Sequence, residues 1–156
     1  MSTASASASV PAGAAGIDPR GPRFGAALTT VVLAIALLTG SVWVLAGQAL
    51  LFAAGSLLGV RRSPYGYLFT RLVRPRLRPP AELEDPAPPR FAQTVGLIVT
   101  GAGLIVAVAG VHSAVEVSAA LALVAAFLNA AFGLCLGCEL YLLLPRLGAS
   151  PKTGRA

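Results

Sequence analysis

Charge is scarce in this chain. Asp, Glu, Lys and Arg make up only 12% of its 156 residues, where a soluble domain carries about a quarter. Water is therefore not expected to be its only solvent. Histidine occurs once, at His112, and cysteine twice, at Cys135 and Cys138. A structural zinc site needs four ligands, and one chain offers only Cys135, Cys138 and Glu139 together, so metal binding would require a dimer. The first sixteen residues, rich in Ser, Ala, Thr and Gly, lack the basic and apolar regions of a signal peptide and read as a disordered tail. No nucleotide-binding motif is present, and no cofactor is expected.

What the chain has in abundance is apolar sequence: 56% hydrophobic residues and a mean hydropathy of +0.78. The expected fold is all-α, an integral membrane four-helix bundle. Apolar runs place its helices at about 23–39, 42–60, 91–111 and 114–144, within a transmembrane domain spanning 17–147. A cytoplasmic loop covers 61–90, and a short tail follows over 148–156. Gly40 suits the residue after one helix and Ser41 the N-cap of the next, so the first two helices form a hairpin. Ser113 and Glu116 match the capping-box pattern at the start of the last helix. That helix would be roughly 46 Å long against a hydrocarbon core of about 30 Å.

Topology follows from basic residues. Twelve Lys and Arg against six acids give +6. All twelve lie in the N-terminal tail, the middle loop and the C-terminus, and none in the two short links. By the positive-inside rule both termini and the middle loop are cytoplasmic, and the net charge reflects anionic lipid rather than nucleic acid. The Arg-rich, Ala-rich composition suggests a bacterial source, hence the inner membrane. Within the loop, Ser63-Pro64 should start a short interfacial helix carrying Tyr65, Tyr67 and Phe69, with Arg71 and Arg74 toward water. An acidic partner docking there is the alternative.

An internal repeat is visible. Asp18-Pro-Arg-Gly-Pro-Arg-Phe24 and Asp85-Pro-Ala-Pro-Pro-Arg-Phe91 agree at five of seven positions, each directly before an apolar run. The pattern suggests two repeated two-helix hairpins; two independent helix starts using the same chemistry is the plainer alternative.

One stretch carries candidate chemistry: Asn129-Ala-Ala-Phe-Gly-Leu-Cys-Leu-Gly-Cys-Glu-Leu-Tyr141. On one continuous helix, Gly133 and Gly137 would form a small-residue groove for close packing, including a homodimer. Cys135, Cys138 and Glu139 would face the other side, away from a helix N-terminus. One turn of helix brings two Cα atoms to about 5–6 Å, within disulfide range, so Cys135 and Cys138 are candidate redox residues and Glu139 a candidate proton carrier. Cys138, nearer the inner surface, is expected to be the more accessible thiol. Metal binding and simple packing by small apolar cysteines remain open. Gln48 and Asn129 read as interhelical hydrogen-bond partners, and His112 as a solvated loop residue.

The Cys135-Leu-Gly-Cys138-Glu-Leu-Tyr141 run, together with Ile17-Asp-Pro-Arg, Arg62-Ser-Pro-Tyr-Gly and Pro89-Arg-Phe-Ala-Gln93, resembles the bacterial domain-of-unknown-function family 4395 over about Ile17 to Leu144. The resemblance implies a small multi-helix membrane protein. It also implies neighbourhood with thioredoxin-like and sulfurtransferase proteins, hence a membrane partner in thiol redox or sulfur-compound handling. It supplies no catalytic residues. Two other classes stand beside that expectation: a small transporter or channel component for a sulfur species or soft metal, and a purely structural assembly partner. Whether the protein is an enzyme is left open.

Overall fold

The computed structural model describes residues 16–148; the two tails expected over 1–16 and 148–156 lie almost wholly outside the described residues. The described part is helical, with no strand. Its elements are α1 (Arg20–Thr39), α2 (Val42–Leu58), α3 (Pro64–Leu68), α4 (Ala87–Val108), α5 (Ser113–Phe132) and α6 (Leu136–Gly148). A π-helical turn over Phe69–Val73 and a 3₁₀ turn over Arg74–Arg76 continue α3. Helices α1, α4 and α5 are long and apolar enough to cross a membrane, and α2 is a shorter apolar helix.

The packing is antiparallel. Helix α1 lies mainly against α5 and α2 mainly against α4, with α4 also packed on α5 and α6. Leu33, Ala36, Leu45, Phe52, Val115, Ala119 and Ala122 form the core. The outward faces stay apolar: Leu38, Trp43, Leu50, Ile105 and Val108 are all more than 70% exposed. In water such a belt would be costly at about 25 cal/mol per Å²; in lipid it costs nothing. This is the surface of a membrane protein.

Glycines set the helix spacing. A Cβ on Gly55 would reach within 2.7 Å of the Gln93 side chain, and one on Gly96 within 2.8 Å of the Phe52 ring. One on Gly103 would overlap Ser118 and stand 3.1 Å from the Ala114 carbonyl oxygen. Small residues let backbones approach closely where lipid offers no hydrophobic drive between helices.

Two sequence expectations about helix ends need revision. Gly40 adopts φ 59° and Ser41 Oγ accepts from the Val44 N–H at 3.4 Å, as the Gly-Ser pair predicts. The capping box at Ser113 does not form: His112 holds the N-cap position without a side-chain bond. Glu116 instead turns to the α1–α2 link, with Oε1 2.9 Å from where a Gly40 Cβ would stand. Its Oε2 is buried without a hydrogen-bond partner among the described residues. The run 114–144 is also not one helix. Gly133 takes φ 69° and ends α5, and the chain restarts as α6 at Leu136. A glycine in the left-handed region is a common helix terminator, and here it outweighs the continuity of apolar residues.

The two copies of the Asp-Pro…Pro-Arg-Phe motif make matching contacts. Asp18 Oδ1 accepts from the Arg20 N–H at 3.0 Å, and Asp85 Oδ1 from the Ala87 N–H at 2.9 Å. Arg23 donates to the Ala130 carbonyl in the last turn of α5 at 3.3 Å. Arg90 donates to the Ser56 and Leu57 carbonyls at the end of α2, at 2.6 and 3.1 Å. Phe24 packs on Phe69 and Phe91 on Tyr141, with ring centroids 5.8 and 5.6 Å apart. Ile17 and Glu84, each directly before its motif's Asp, exchange both backbone hydrogen bonds at 2.9 Å. The agreement extends to α2 and α5, where Leu45, Gln48, Ala49 and Phe52 are buried at the same spacing as Val115, Ser118, Ala119 and Ala122.

Asp18 gives a testable consequence. The Arg20 guanidinium, bonded at 2.9 Å, holds this buried carboxyl below its ordinary range. A carboxylate with a depressed folded-state pKa contributes stability that is present above the unfolded value and is lost as pH falls through the folded one. Asp18→Asn is therefore expected to lower the melting temperature at neutral pH and to flatten the decline in stability below pH 4. Melting curves of both proteins in detergent from pH 7 to pH 3 measure this; parallel curves would show that Asp18 contributes nothing.

Candidate functional site

The break between α5 and α6 decides where the cysteines stand. Cys135 directly precedes α6, so it occupies the N-cap position, and Cys138 lies in the first turn. This revises the expectation that the pair lies away from a helix N-terminus. The Cys135 carbonyl accepts from the Glu139 N–H at 3.0 Å, and Cys135 Sγ accepts from the Cys138 N–H at 3.2 Å. A sulfur so placed receives both a direct N–H and the positive end of the helix macrodipole, which stabilise negative charge on it. The two cysteines are joined as a disulfide, with Cα atoms 5.1 Å apart.

The same cap geometry occurs in a purely structural form at Ser41 and at Ser63. Ser63 precedes α3, its Oγ accepts from the Gly66 N–H at 3.2 Å, and its carbonyl accepts from the Tyr67 N–H at 2.8 Å. Cys135 thus stands where Ser63 stands, and Cys138 where Gly66 stands. Gly66 has no room for a side chain: a Cβ there would overlap the Val60 carbonyl oxygen. In α6 the corresponding position is open enough for a thiol.

Helix α6 is held by α4. Gly137 lies so close to Ala92 that a Cβ on it would come within 2.6 Å of the Ala92 Cα, and Tyr141 packs on Phe91. Gly133 and Gly137 therefore do not form one line on one helix. Gly133 is a helix terminator near the Arg23 guanidinium, and Gly137 packs within the chain. Glu139 is exposed in the first turn of α6. Its negative charge suits that end of the helix but opposes a second negative charge on Cys135.

Behind the disulfide lies a cavity of about 280 Å³ between α1, α2, α4, α5 and α6. Cys135 is in its wall; Cys138 is not. The wall is mainly Ala, Val, Leu, Phe and Pro and contains no charged side chain. Thr29, Gln93 and Asn129 supply polar groups. Thr29 accepts from the Gln48 amide at 3.5 Å, and Tyr65 donates to Gln48 Oε1 at 3.1 Å, so a buried polar chain links α3 to the wall. Burial raises the Tyr65 hydroxyl above its ordinary pKa, which keeps it a donor. The Gln93 and Asn129 side chains make no hydrogen bond among the described residues.

Gln48 thus pairs between helices as its sequence position suggests, whereas Asn129 faces the cavity. His112 is exposed. Among the described residues, no three His, Cys, Asp or Glu side chains gather where they could hold a metal. Thr29 has no role legible in the sequence, and Gln93 enters there only within the family motif. A polar residue in an apolar run was the available signal, but its direction depends on which helices surround it.

Packing and chemistry separate experimentally on α6. Gly137→Leu is expected to destabilise by about 1–3 kcal/mol, the usual cost of overpacking, because the side chain must displace α4 at Ala92. Cys138→Ala should leave membrane abundance and melting temperature close to wild type under reducing conditions. Detergent-extracted yield and thermal unfolding of the two variants give the comparison; equal losses would make the cysteines packing residues.

No curated protein and no solved structure matches the chain. A family model described as "Domain of unknown function (DUF4395)" matches residues 17–146. The match spans both copies of the repeated motif, the disulfide and every helix that lines the cavity, and the chain belongs to that family.

Proposed function

We propose that this protein is a multi-pass bacterial inner-membrane partner in thiol–disulfide exchange, with Cys135 and Cys138 as the exchanging pair. The observation that carries the reading is the position of the pair: a disulfide at the N-terminus of α6, with the Cys138 N–H directed at Cys135 Sγ. Reactive dithiols are favoured where a helix N-terminus stabilises the thiolate. The corresponding cap at Ser63 serves α3 with a single oxygen and no second side chain at Gly66, so capping alone does not account for a cysteine pair.

The matching contacts support a chain built from two copies of one unit, α1-α2-α3 and α4-α5-α6, with redox chemistry confined to the second. In this reading α1, α2, α4 and α5 form a four-helix bundle across the membrane, α2 returning the chain after α1. Every described basic residue then lies at the end that holds α3 and α6, which the positive-inside rule assigns to the cytoplasm. Reporter fusions at Glu82 and at the C-terminus should report the cytoplasmic side, and one beside His112 the external side. A cytoplasmic signal at His112 would overturn this topology.

Exchange follows from the asymmetry of the two sulfurs. The thiolate of a cytoplasmic partner, of the thioredoxin-like or sulfurtransferase kind, attacks Cys138 Sγ, and Cys135 leaves as the thiolate stabilised by the cap. The better-stabilised thiolate is the better leaving group. Glu139, exposed one residue further on, takes or returns protons. In Cys135→Ser no internal disulfide exists, so the adduct forms by the reverse step. The Cys138 thiolate attacks the disulfide of the oxidised partner, one partner thiolate leaves, and no Cys135 thiolate remains to release the mixed disulfide. This variant should trap more adduct than Cys138→Ser. Non-reducing gels and mass spectrometry of trapped complexes test this; no adduct from either variant, with both thiols unreactive toward maleimide in opened membranes, would overturn the redox role.

A further inference from the structure

We infer that the cavity beside Cys135 binds the head group of a lipid quinone, which reoxidises the reduced cysteine pair. The inference rests on the exchange role proposed above and supplies its missing half. A pair that accepts electrons from a partner must pass them on, and Cys135 faces a cavity rather than a second cysteine pair.

The wall defines the ligand's chemistry. It has no charged residue, so the ligand is neutral, and its Ala, Val, Leu, Phe and Pro lining favours an apolar body. The Gln93 and Asn129 amides are free to donate N–H bonds, and an unbonded amide in apolar surroundings is costly to leave alone. Carbonyl oxygens on a flat apolar ring satisfy them. At about 280 Å³ the space is close to the lower end of small-molecule sites, about 300–1,000 Å³, a size for a ring system rather than for its isoprenoid tail. The outward faces of α1, α4 and α5 carry exposed Val31, Ile98 and Leu121, so such a tail would remain in lipid.

The step balances. The S–H bonds of Cys135 and Cys138 break and one S–S bond forms. The two electrons released pass to the quinone ring, and the two protons end on its two carbonyl oxygens, giving the hydroquinone. Cys135 Sγ, held by the Cys138 N–H, is the sulfur nearest the acceptor. Thr29 in the cavity wall connects through Gln48 to Tyr65.

The test uses the full chain in lipid nanodiscs with its cysteine pair reduced. Decylubiquinone and a 2,3-dialkylated naphthoquinone serve as probes, because their substituted rings do not form stable adducts with thiols. Quinone absorbance and disulfide formation, the latter by maleimide labelling, are followed together. One disulfide should form per quinone reduced, with none in the Cys135→Ser, Cys138→Ser double variant. Gln93→Leu and Ala125→Phe, which remove a donor and fill the cavity, should each slow quinone-dependent oxidation at least tenfold. Oxidation of the same variants by a water-soluble aromatic disulfide should remain as in wild type. Wild-type pairs oxidised by the soluble disulfide but by neither quinone would overturn the quinone site and leave the exchange role standing. Pairs that resist all three oxidants would overturn both. Equal quinone rates in wild type, Gln93→Leu and Ala125→Phe would remove the cavity from the reaction.

Discussion

A helix that ends in apolar surroundings leaves backbone donors and acceptors that water cannot reach, and each must find a partner within the protein. A recurring set of polar contacts in this fold answers that demand. Asp18 and Asp85 accept N–H groups where α1 and α4 begin. Arg23 and Arg90 reach across to the last carbonyls of α5 and α2. Ser63 and Cys135 cap the two helices that follow. The end of the molecule that holds these contacts collects the described charged side chains other than Glu116, while the exposed helix surface beyond it is largely apolar.

That demand also explains how a cysteine pair stands at a helix end without disturbing the fold. The cap at α3 and the cap at α6 do the same structural task with oxygen in one and sulfur in the other. Replacing a hydroxyl by a thiol at a cap retains an acceptor for the N–H, and adding a second thiol one turn on requires only that the neighbouring backbone stand back. At Gly66 the Val60 carbonyl forbids it; Cys138 carries a side chain that reaches Cys135 Sγ. The two motif copies make matching contacts, and the caps at Ser63 and Cys135 differ in the atom that accepts.

Close helix approach and the cavity are two results of the same set of small residues. Gly55, Gly96 and Gly103 bring α2, α4 and α5 together where their partners fill the space. Toward α6, the alanines of α5 and Ala92 of α4 leave room, and the short helix covers that room without filling it. Helix α6 is therefore both lid and wall, with Cys135 at its inner corner.

The sequence by itself determined that the chain is helical and apolar, where the first hairpin turns, which end collects the basic residues, and that the Asp-Pro…Arg-Phe motif recurs. Each is local: apolar run length, the Gly40-Ser41 pair and the placement of Arg depend on a few neighbouring residues. It did not show that Gly133 would end α5. An apolar run continues through that position, and only the need for α6 to turn onto Ala92 and Phe91 makes the break favourable. The break moved Cys135 from mid-helix to a cap, and with it reversed the expected electrostatics of the pair. The cavity was equally illegible. Thr29, Gln93 and Asn129 come from three different helices, and only the packing of α1 on α5 and of α6 on α4 brings their side chains to one space beside a sulfur.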